Sequence, residues 1–488
     1  MNTMEKCKVM VAVLIYSHSM ILCWSHAKSA PKLLVISFDG FRWDYLDKTD
    51  TPNFDRIANN GVRAKWVKDS FLTVTFPNHY TIATGLHVES HGIVGNVFYD
   101  PVFDEIFNMS SPRSLNDSRF WGGEPVWITN ELQGGTSGVY YWPGCGANIK
   151  GIRPTHCVNI VDITNSSLNM WKHRTDTVIG WLDDLENDVN LAMLYFGEPD
   201  VSGHRYGPNA PEIVQKIQLC DAITGYILSQ LDKYGIDEIN IIITSDHGMS
   251  EMNRKKFITL DDHVDMKKIK HIMNDIASAS IWPDSKKNIT EELFKNLSAI
   301  DPVHYKVWLK KDIPPEYHYS NNRRISSIFM QANEGWGIRE NWNDPRYKMG
   351  RHGYNNSLMN MHVFFLATGP SFKEGFLSEP FELIDIYSLM CYILEIKPAP
   401  NNGSFDAVRQ LLRDERPMNY EDYNSKMFRV NISIWEGICI GVICNAIMLI
   451  YLLKRMKKGY LKLPVMPNST RSHADKKITE RTLLTNGV

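Results

Sequence analysis

Three carboxylates and three imidazoles stand out in this chain of 488 residues. Asp39 closes the apolar run KLLVISFDGFR (32–42), and Asp200 and His204 lie four apart around a glycine in EPDVSGHRYGP (198–208). Asp246 and His247 end INIIITSDHG (239–248), and His352 opens the Gly/Asn-rich RHGYNN (351–356). Mixed Asp/His ligation suits catalytic zinc and related divalent ions, whereas a thiolate-rich set would suggest a structural site. Six ligands exceed one tetrahedral ion and suit two ions with open positions. Two metals about 3.5–4 Å apart suit phosphoryl chemistry, where attacking and leaving oxygens both need stabilising. Two Zn2+ are the expected cofactors.

Such a site needs a nucleophile, and Thr75 in FLTVTFPNHYTIATG (71–85) is the candidate. An apolar, strand-like lead-in ends at Thr75, Phe76 and Pro77, which read as a helix start. A hydroxyl there faces free backbone N–H groups, where a phosphate docks. Threonine is a weak nucleophile at neutral pH unless a metal activates it. The plainer alternative is a threonine that merely caps its helix.

The elements that position these residues are legible as apolar runs. Asn240 to Thr244 is β-branched and nearly continuous, as expected of a strand covered on both faces of a parallel sheet. Asp246 and His247 then fall at the carboxyl edge, where open α/β sheets place their ligands. The second strand, ending at Asp39, repeats the arrangement. A length of 488 residues allows one large α/β domain or two to three smaller ones. A net charge of −2 puts the isoelectric point near neutrality and gives no nucleic-acid footprint.

SFDGFR, TFPNHY, HGIVGN (91–96), GEPVW (123–127), WPG (142–144), EPDxSGHxYGP, SDHGM (245–249) and HGYNN, in this order, resemble the ectonucleotide pyrophosphatase/phosphodiesterases. The similarity runs from about Lys32 to Phe405 and leans to the single-domain, membrane-anchored members. It implies an α/β, alkaline-phosphatase-like fold: a mixed, mostly parallel sheet between helices, with a smaller inserted subdomain. It assigns Asp200, His204 and His352 to one zinc site and Asp39, Thr75, Asp246 and His247 to the other, with Thr75 as nucleophile. Asn96 is implied to hold a phosphate oxygen together with the Thr75 backbone N–H, and Phe76 and Tyr195 to line the pocket for the base. The implied reaction is hydrolysis of extracellular nucleotides through a phospho-threonine, releasing a nucleoside monophosphate.

Two departures bear on the substrate. After WPG, nucleotide-binding relatives carry an Asp and, further on, a Tyr that stacks on the base; this chain has Gly146 and, by ungapped counting, Ile160. An isoleucine covers a purine without the stacking that contributes about 1–3 kcal/mol in nucleic-acid complexes. Gly197 is a further change. A phosphocholine-type lipid phosphodiesterase is therefore an alternative with the same chemistry, and a catalytically weak adhesion or signalling ectodomain is an alternative of another class.

Both ends read as targeting segments. Residues 1–27 have a weakly basic start, an apolar stretch and Ser25-His26-Ala27 as a cleavage site, hence a signal peptide; an uncleaved anchor is the alternative. Residues 31–415 form the expected extracellular domain, with 254–348 as a candidate inserted subdomain, followed by a stalk (416–433). Residues 434–453 are apolar, on the short side for a spanning helix, and Lys454, Arg455, Lys457 and Lys458 mark a cytoplasmic tail (454–488). The expectation is a single-pass type I protein of the plasma membrane. Sequons at Asn108, Asn116, Asn165, Asn288, Asn296, Asn355, Asn402 and Asn431 agree with export; Asn355, beside the ligand turn, is expected to be bare. Cys145 and Cys157 are the disulfide candidates. Cys220 and Cys391 read as core residues of apolar helices, with a bridge between them as the alternative.

Overall fold

The computed structural model describes residues 30–415 apart from 161–166, 254, 285–288 and 344–347, together with 450 and 454. The signal-peptide, stalk and membrane-segment readings, the cytoplasmic tail and the sequons at Asn165, Asn288 and Asn431 lie outside the described residues (Ile450 and Lys454 excepted). Among the described residues no helix is long and apolar enough to cross a membrane. Residues 1–418 make one unit and 419–488 a second.

Eight strands form the central sheet. In chain order they are Lys32–Phe38 (β1), Gly61–Ala64 (β2), Ser137–Tyr140 (β3), His156–Val158 (β4), Leu191–Phe196 (β5), Ile239–Thr244 (β6), Phe365–Thr368 (β7) and Phe376–Ser378 (β8). Their spatial order is β8-β2-β7-β6-β1-β5-β3-β4. All run parallel except β7, which is antiparallel to both neighbours. The sheet is thus mixed and mostly parallel, as the resemblance implies. Every residue of β5 and β6 is buried, which explains their unbroken apolar runs: a parallel sheet hides both faces.

Four helices matter for the site: Thr75–Thr84 (α1), Leu168–Asp183 (α2), Asp200–Tyr206 (α3) and Pro211–Lys233 (α4). The stripe Ile213, Ile217, Cys220, Ile223, Ile227 and Leu231 of α4 is buried, one apolar face at helical spacing. Cys391 is likewise buried in the helix Ile386–Ile393. Both thiols are free, which removes the alternative Cys220–Cys391 bridge. Cys145 and Cys157 do form a disulfide, with Cα atoms 5.9 Å apart.

A four-stranded antiparallel sheet lies within residues 269–332, in the order Ile269–Asn274, Ser278–Pro283, Ile328–Ala332, Tyr305–Leu309. It has its own apolar core, which includes Ile281, Leu293, Leu297, Ile328 and Met330 and extends to Tyr354 and Met361. The chain returns from it through His352 to β7. The strand-like reading of residues 71–74 is corrected: they pair with no strand. Thr73 instead donates its hydroxyl to Tyr354 O (3.0 Å) and accepts from Gly353 N–H (2.9 Å), which ties the lead-in of α1 to the turn carrying His352.

Candidate active site

Three adjacent parallel strands deliver most of the ligand candidates. Asp39 follows β1, Asp246 and His247 follow β6 on one side, and Asp200 opens α3 after β5 on the other. All sit at carboxyl ends, the edge at which α/β sheets place chemistry. Gly40 makes the convergence possible: its φ is +66°, and a Cβ there would meet Asp200 Cβ at 2.8 Å.

The structure brings all seven residues together. Thr75 Oγ lies 3.3 Å from His247 Nε2. His247 Nε2 is 3.3 Å from Asp39 Oδ1 and 3.1 Å from Asp246 Oδ2. Asp200 Oδ1 is 3.5 Å from both His204 Nε2 and His352 Nε2, which are 3.2 Å apart. The His247 and His352 rings stack at 3.5 Å and join the two groups. Ligand atoms of Asp39, Asp246 and His247, and of Asp200, His247 and His352, fall within 4.8 Å of one another in each trio. All are nearly or fully buried.

Each imidazole is held in one tautomer. The Nδ1–H groups of His204, His247 and His352 donate to Gly350 O, Gly248 O and Thr73 O, each at 2.9 Å. Every Nε2 is therefore a lone pair, the arrangement of a metal-ligating histidine. Those lone pairs point at carboxylate oxygens or at each other, a repulsive arrangement unless a cation lies among them. Asp39 Oδ1, Asp200 Oδ1 and Asp246 Oδ2 are buried without any hydrogen-bond partner, which costs free energy unless a charge compensates. Burial, then the Asp246 and Asp200 charges, push the Asp39 carboxyl well up. Burial likewise raises Asp200 to about 6. Burial lowers His204 and His352 well below the usual imidazole range, so both are neutral at pH 7. The donor set fits divalent cations.

Thr75 is the first residue of α1; Val74 is the N-cap, and no side chain caps the helix. The capping alternative therefore fails, and the hydroxyl faces the cluster. Asn96 Oδ1 accepts from Phe76 N–H (2.8 Å), so the carboxamide is clamped beside the start of α1. Thr75, Asn96, Asp200, His204 and His352 share one cavity of about 720 Å³.

Two expected pocket residues are elsewhere. Tyr195 is fully buried in β5, and its hydroxyl donates to Asp39 Oδ2: it supports a ligand candidate and is not part of the cavity lining. Phe76 is also fully buried, against Phe107 and Trp121. Ile160 packs on the main core. A Cβ at Gly146 would strike Asn159 Nδ2 and Asn116 Oδ1, at 2.3 and 2.4 Å, and these amides bond each other at 3.0 Å. Among the described residues, the cavity lining has no aromatic ring besides its histidines.

Sequence reasoning missed His79 and Ser37. His79 Nδ1 donates to Thr75 O (2.8 Å) and lies 3.4 Å from Asp246 Oδ2, while Nε2 meets Ser37 Oγ at 2.8 Å. His79 stands in the TFPNHY motif one turn beyond Thr75, and that spacing was the available signal.

A parallel-sheet edge with a threonine at a helix start beside a buried Asp/His cluster defines a hydrolase of the metal-dependent phosphoryl-transfer class. The type I phosphodiesterase/nucleotide pyrophosphatase family model matches residues 33–355. Mouse bis(5'-adenosyl)-triphosphatase is 40% identical over 399 residues, 81% of this chain and 84% of that protein. Human ectonucleotide pyrophosphatase/phosphodiesterase family member 5 is 38% identical over 411 residues, 84% of each chain. The structure of murine ectonucleotide pyrophosphatase/phosphodiesterase 5, as an inactive threonine-to-alanine variant in complex with AMP, superposes with a TM-score of 0.74 at 38% identity, covering 78% of this chain and 100% of that one. The chain belongs to the nucleotide pyrophosphatase/phosphodiesterase family, has its alkaline-phosphatase-like fold, and is a phosphodiesterase-class hydrolase.

Proposed function

We propose that this protein cleaves the pyrophosphate bond of dinucleoside polyphosphates and nucleoside triphosphates, with Thr75 as nucleophile, releasing a nucleoside monophosphate. One observation carries the reading: Thr75 Oγ, at the start of a helix, meets His247 Nε2 within a buried cluster in which one oxygen each of Asp39, Asp200 and Asp246 has no hydrogen-bond partner. Two Zn2+ held by Asp39, Thr75, Asp246 and His247 and by Asp200, His204 and His352 would supply the charge that activates the hydroxyl and neutralises the transferring phosphoryl group. The Thr75 Oγ–P bond forms as the P–O bond to the leaving group breaks, and water then attacks the phospho-threonine. Asn96 and the Thr75 backbone N–H hold a phosphoryl oxygen; fixed donors at developing charge are the main source of such rate enhancement. The murine relative bound to AMP and the mouse triphosphatase support a nucleotide substrate. The residues here also fit a domain spanning 31–415, displayed outside the cell on a single-pass anchor at 434–453.

The full chain, with zinc present, should release AMP from bis(5'-adenosyl) triphosphate, and chelator should stop it. Hydrolysis of a phosphocholine lipid alone would move the protein to the lipid branch. Silence on both would favour a non-catalytic ectodomain. Thr75→Ala should abolish turnover with its melting temperature nearly unchanged; substantial residual activity would refute the nucleophile.

A further inference from the structure

The active-site cavity is unevenly charged. The hairpin Val97–Asp100 and Glu105–Asn108 and the residues flanking it contribute Asn96, Val97, Asn108, Met109 and Ser110 to the lining, none of them charged. All three lysine or arginine residues of the described lining, Arg205, Lys348 and Arg351, flank the ligand group Asp200, His204 and His352. Their grouping is built by the backbone. Met349 N–H donates to His204 O (2.8 Å), and His204 Nδ1–H donates to Gly350 O (2.9 Å), which fastens the segment 348–351 along α3. Gly350 is required for this approach, since a Cβ there would lie 2.4 Å from Gly203 O. Arg351 is buried, whereas Arg205 and Lys348 are exposed at the rim, and among the described residues neither of the two forms an ion pair with a carboxylate. The carboxylates of the same lining are Asp200, a ligand candidate, and Asp275.

Resting on the pyrophosphatase reading above, we infer that Arg205 and Lys348 form a subsite for an anionic leaving group, making this a catalyst selective for phosphate-terminated over uncharged or singly charged leaving groups. When the P–O bond to the bridging oxygen breaks, its electron pair departs on that oxygen. From a dinucleoside triphosphate the departing group is a nucleoside diphosphate carrying two or three negative charges; from an aryl ester it is a phenolate carrying one. Cations beside the departing oxygens stabilise the first far more than the second, because the interaction scales with the charge they face. The neutral hairpin offers no such discrimination.

The test compares bis(5'-adenosyl) triphosphate with the p-nitrophenyl ester of AMP on the full chain, in the wild type and in an Arg205→Ala/Lys348→Ala double variant. The kcat/KM ratio of triphosphate to aryl ester is expected to fall about tenfold, the size of two partly screened charge interactions. Arg205→Lys, which keeps the charge, should retain most of the ratio. The wild-type preference should also shrink as ionic strength rises, and the double variant should lose that salt dependence. If both substrates slow in equal proportion, or neither changes, the subsite is refuted. A wild type inactive on both substrates would instead refute the pyrophosphatase reading and this inference with it.

Discussion

Two groups of buried carboxylates in this molecule have opposite electrostatic fates. Asp39, Asp200 and Asp246 converge at the sheet edge, each with an oxygen that meets no donor. Asp100, equally buried in the hairpin beside the cavity, is saturated. Arg323 Nη2 reaches Asp100 Oδ2 at 2.8 Å and Arg324 Nε at 2.7 Å, while Val102 N–H donates to Oδ1 at 2.9 Å. Burial alone would raise Asp100, but the two guanidinium groups outweigh it and bring it down to about 2. Burial and mutual repulsion raise Asp39 well above its ordinary range. The same side chain is thus a structural ion pair where the fold supplies its cations and a ligand candidate where the fold withholds them. Arg324 also donates to Gly92 O and Phe120 O, so the Asp100 cluster pins the hairpin wall of the cavity.

The strongest way to break this contrast is to remove the cations that the first group needs. Chelation of the full chain should reduce turnover more than about a hundredfold and lower its melting temperature, and zinc should restore both. Undiminished activity in excess chelator would deny the donor set its role. Next in size is a pair of substitutions with opposite signs. Asp100→Asn leaves the buried Arg324 short of its counter-charge and should destabilise by about 3 kcal/mol. Asp39→Asn removes a crowded charge while keeping an oxygen for Tyr195, and should raise the stability of the metal-free protein by about 1 kcal/mol although activity is lost. Denaturant midpoints of the metal-free variants decide it, and equal signs would sink the comparison.

The pH dependence follows the same logic with a smaller effect. Asp100 has a folded pKa depressed to about 2, so its contribution is fully present above the unfolded value of about 3.9 and is lost as pH falls from there through 2. That loss, about 2–3 kcal/mol, should appear in acid unfolding of the wild type and be absent from Asp100→Asn. The raised carboxyls at the sheet edge act oppositely in the metal-free protein. They favour the protonated folded form, so acidification toward pH 4 should relieve strain there before the Asp100 pair begins to fail.

How much of this was readable in the chain depends on range. β6 and its Asp246-His247 end were visible because a both-faces-buried strand writes an unbroken apolar run, and the same signal placed Asp39 after β1. The buried stripe of α4 was visible at helical period, and Cys145–Cys157 from its short separation. The two pocket residues were misplaced for a definite reason. Tyr195 lies in β5, where its hydroxyl is engaged by Asp39 just past the end of the adjacent strand β1, and Phe76 turns inward against Phe107 and Trp121. Both are long-range packing decisions with no local signature. Residues 71–74 read as a strand because Phe, Leu, Thr and Val have the composition for one, yet Thr73 spends its hydrogen bonds on the turn at 353–354. The Arg323–Arg324 clamp on Asp100 was equally invisible, because it joins residues more than 220 apart.

A more local effect is predicted beside the sheet-edge carboxylates, at His79, which lies 3.4 Å from Asp246. This imidazole is fully buried, and burial lowers its pKa, so it is neutral at pH 7. Its Nδ1–H donates to Thr75 O one helical turn back, which leaves Nε2 to accept from the Ser37 hydroxyl. Ser37 therefore fixes the ring and, through it, the start of α1 on which Thr75 is presented. Ser37→Ala leaves Nε2 buried and unpaired, a cost of about 1–3 kcal/mol in stability. A positioning role predicts more than that cost: kcat should fall about three- to tenfold while KM stays within twofold, because a displaced nucleophile loses attack geometry and not substrate affinity. Ser37→Thr, which returns a hydroxyl to the same strand position, should recover most of the rate. If Ser37→Ala lowers the melting temperature yet leaves kcat unchanged, the Ser37–His79 link supports the core alone, and Thr75 is held by the helix start and its own neighbours at the cluster.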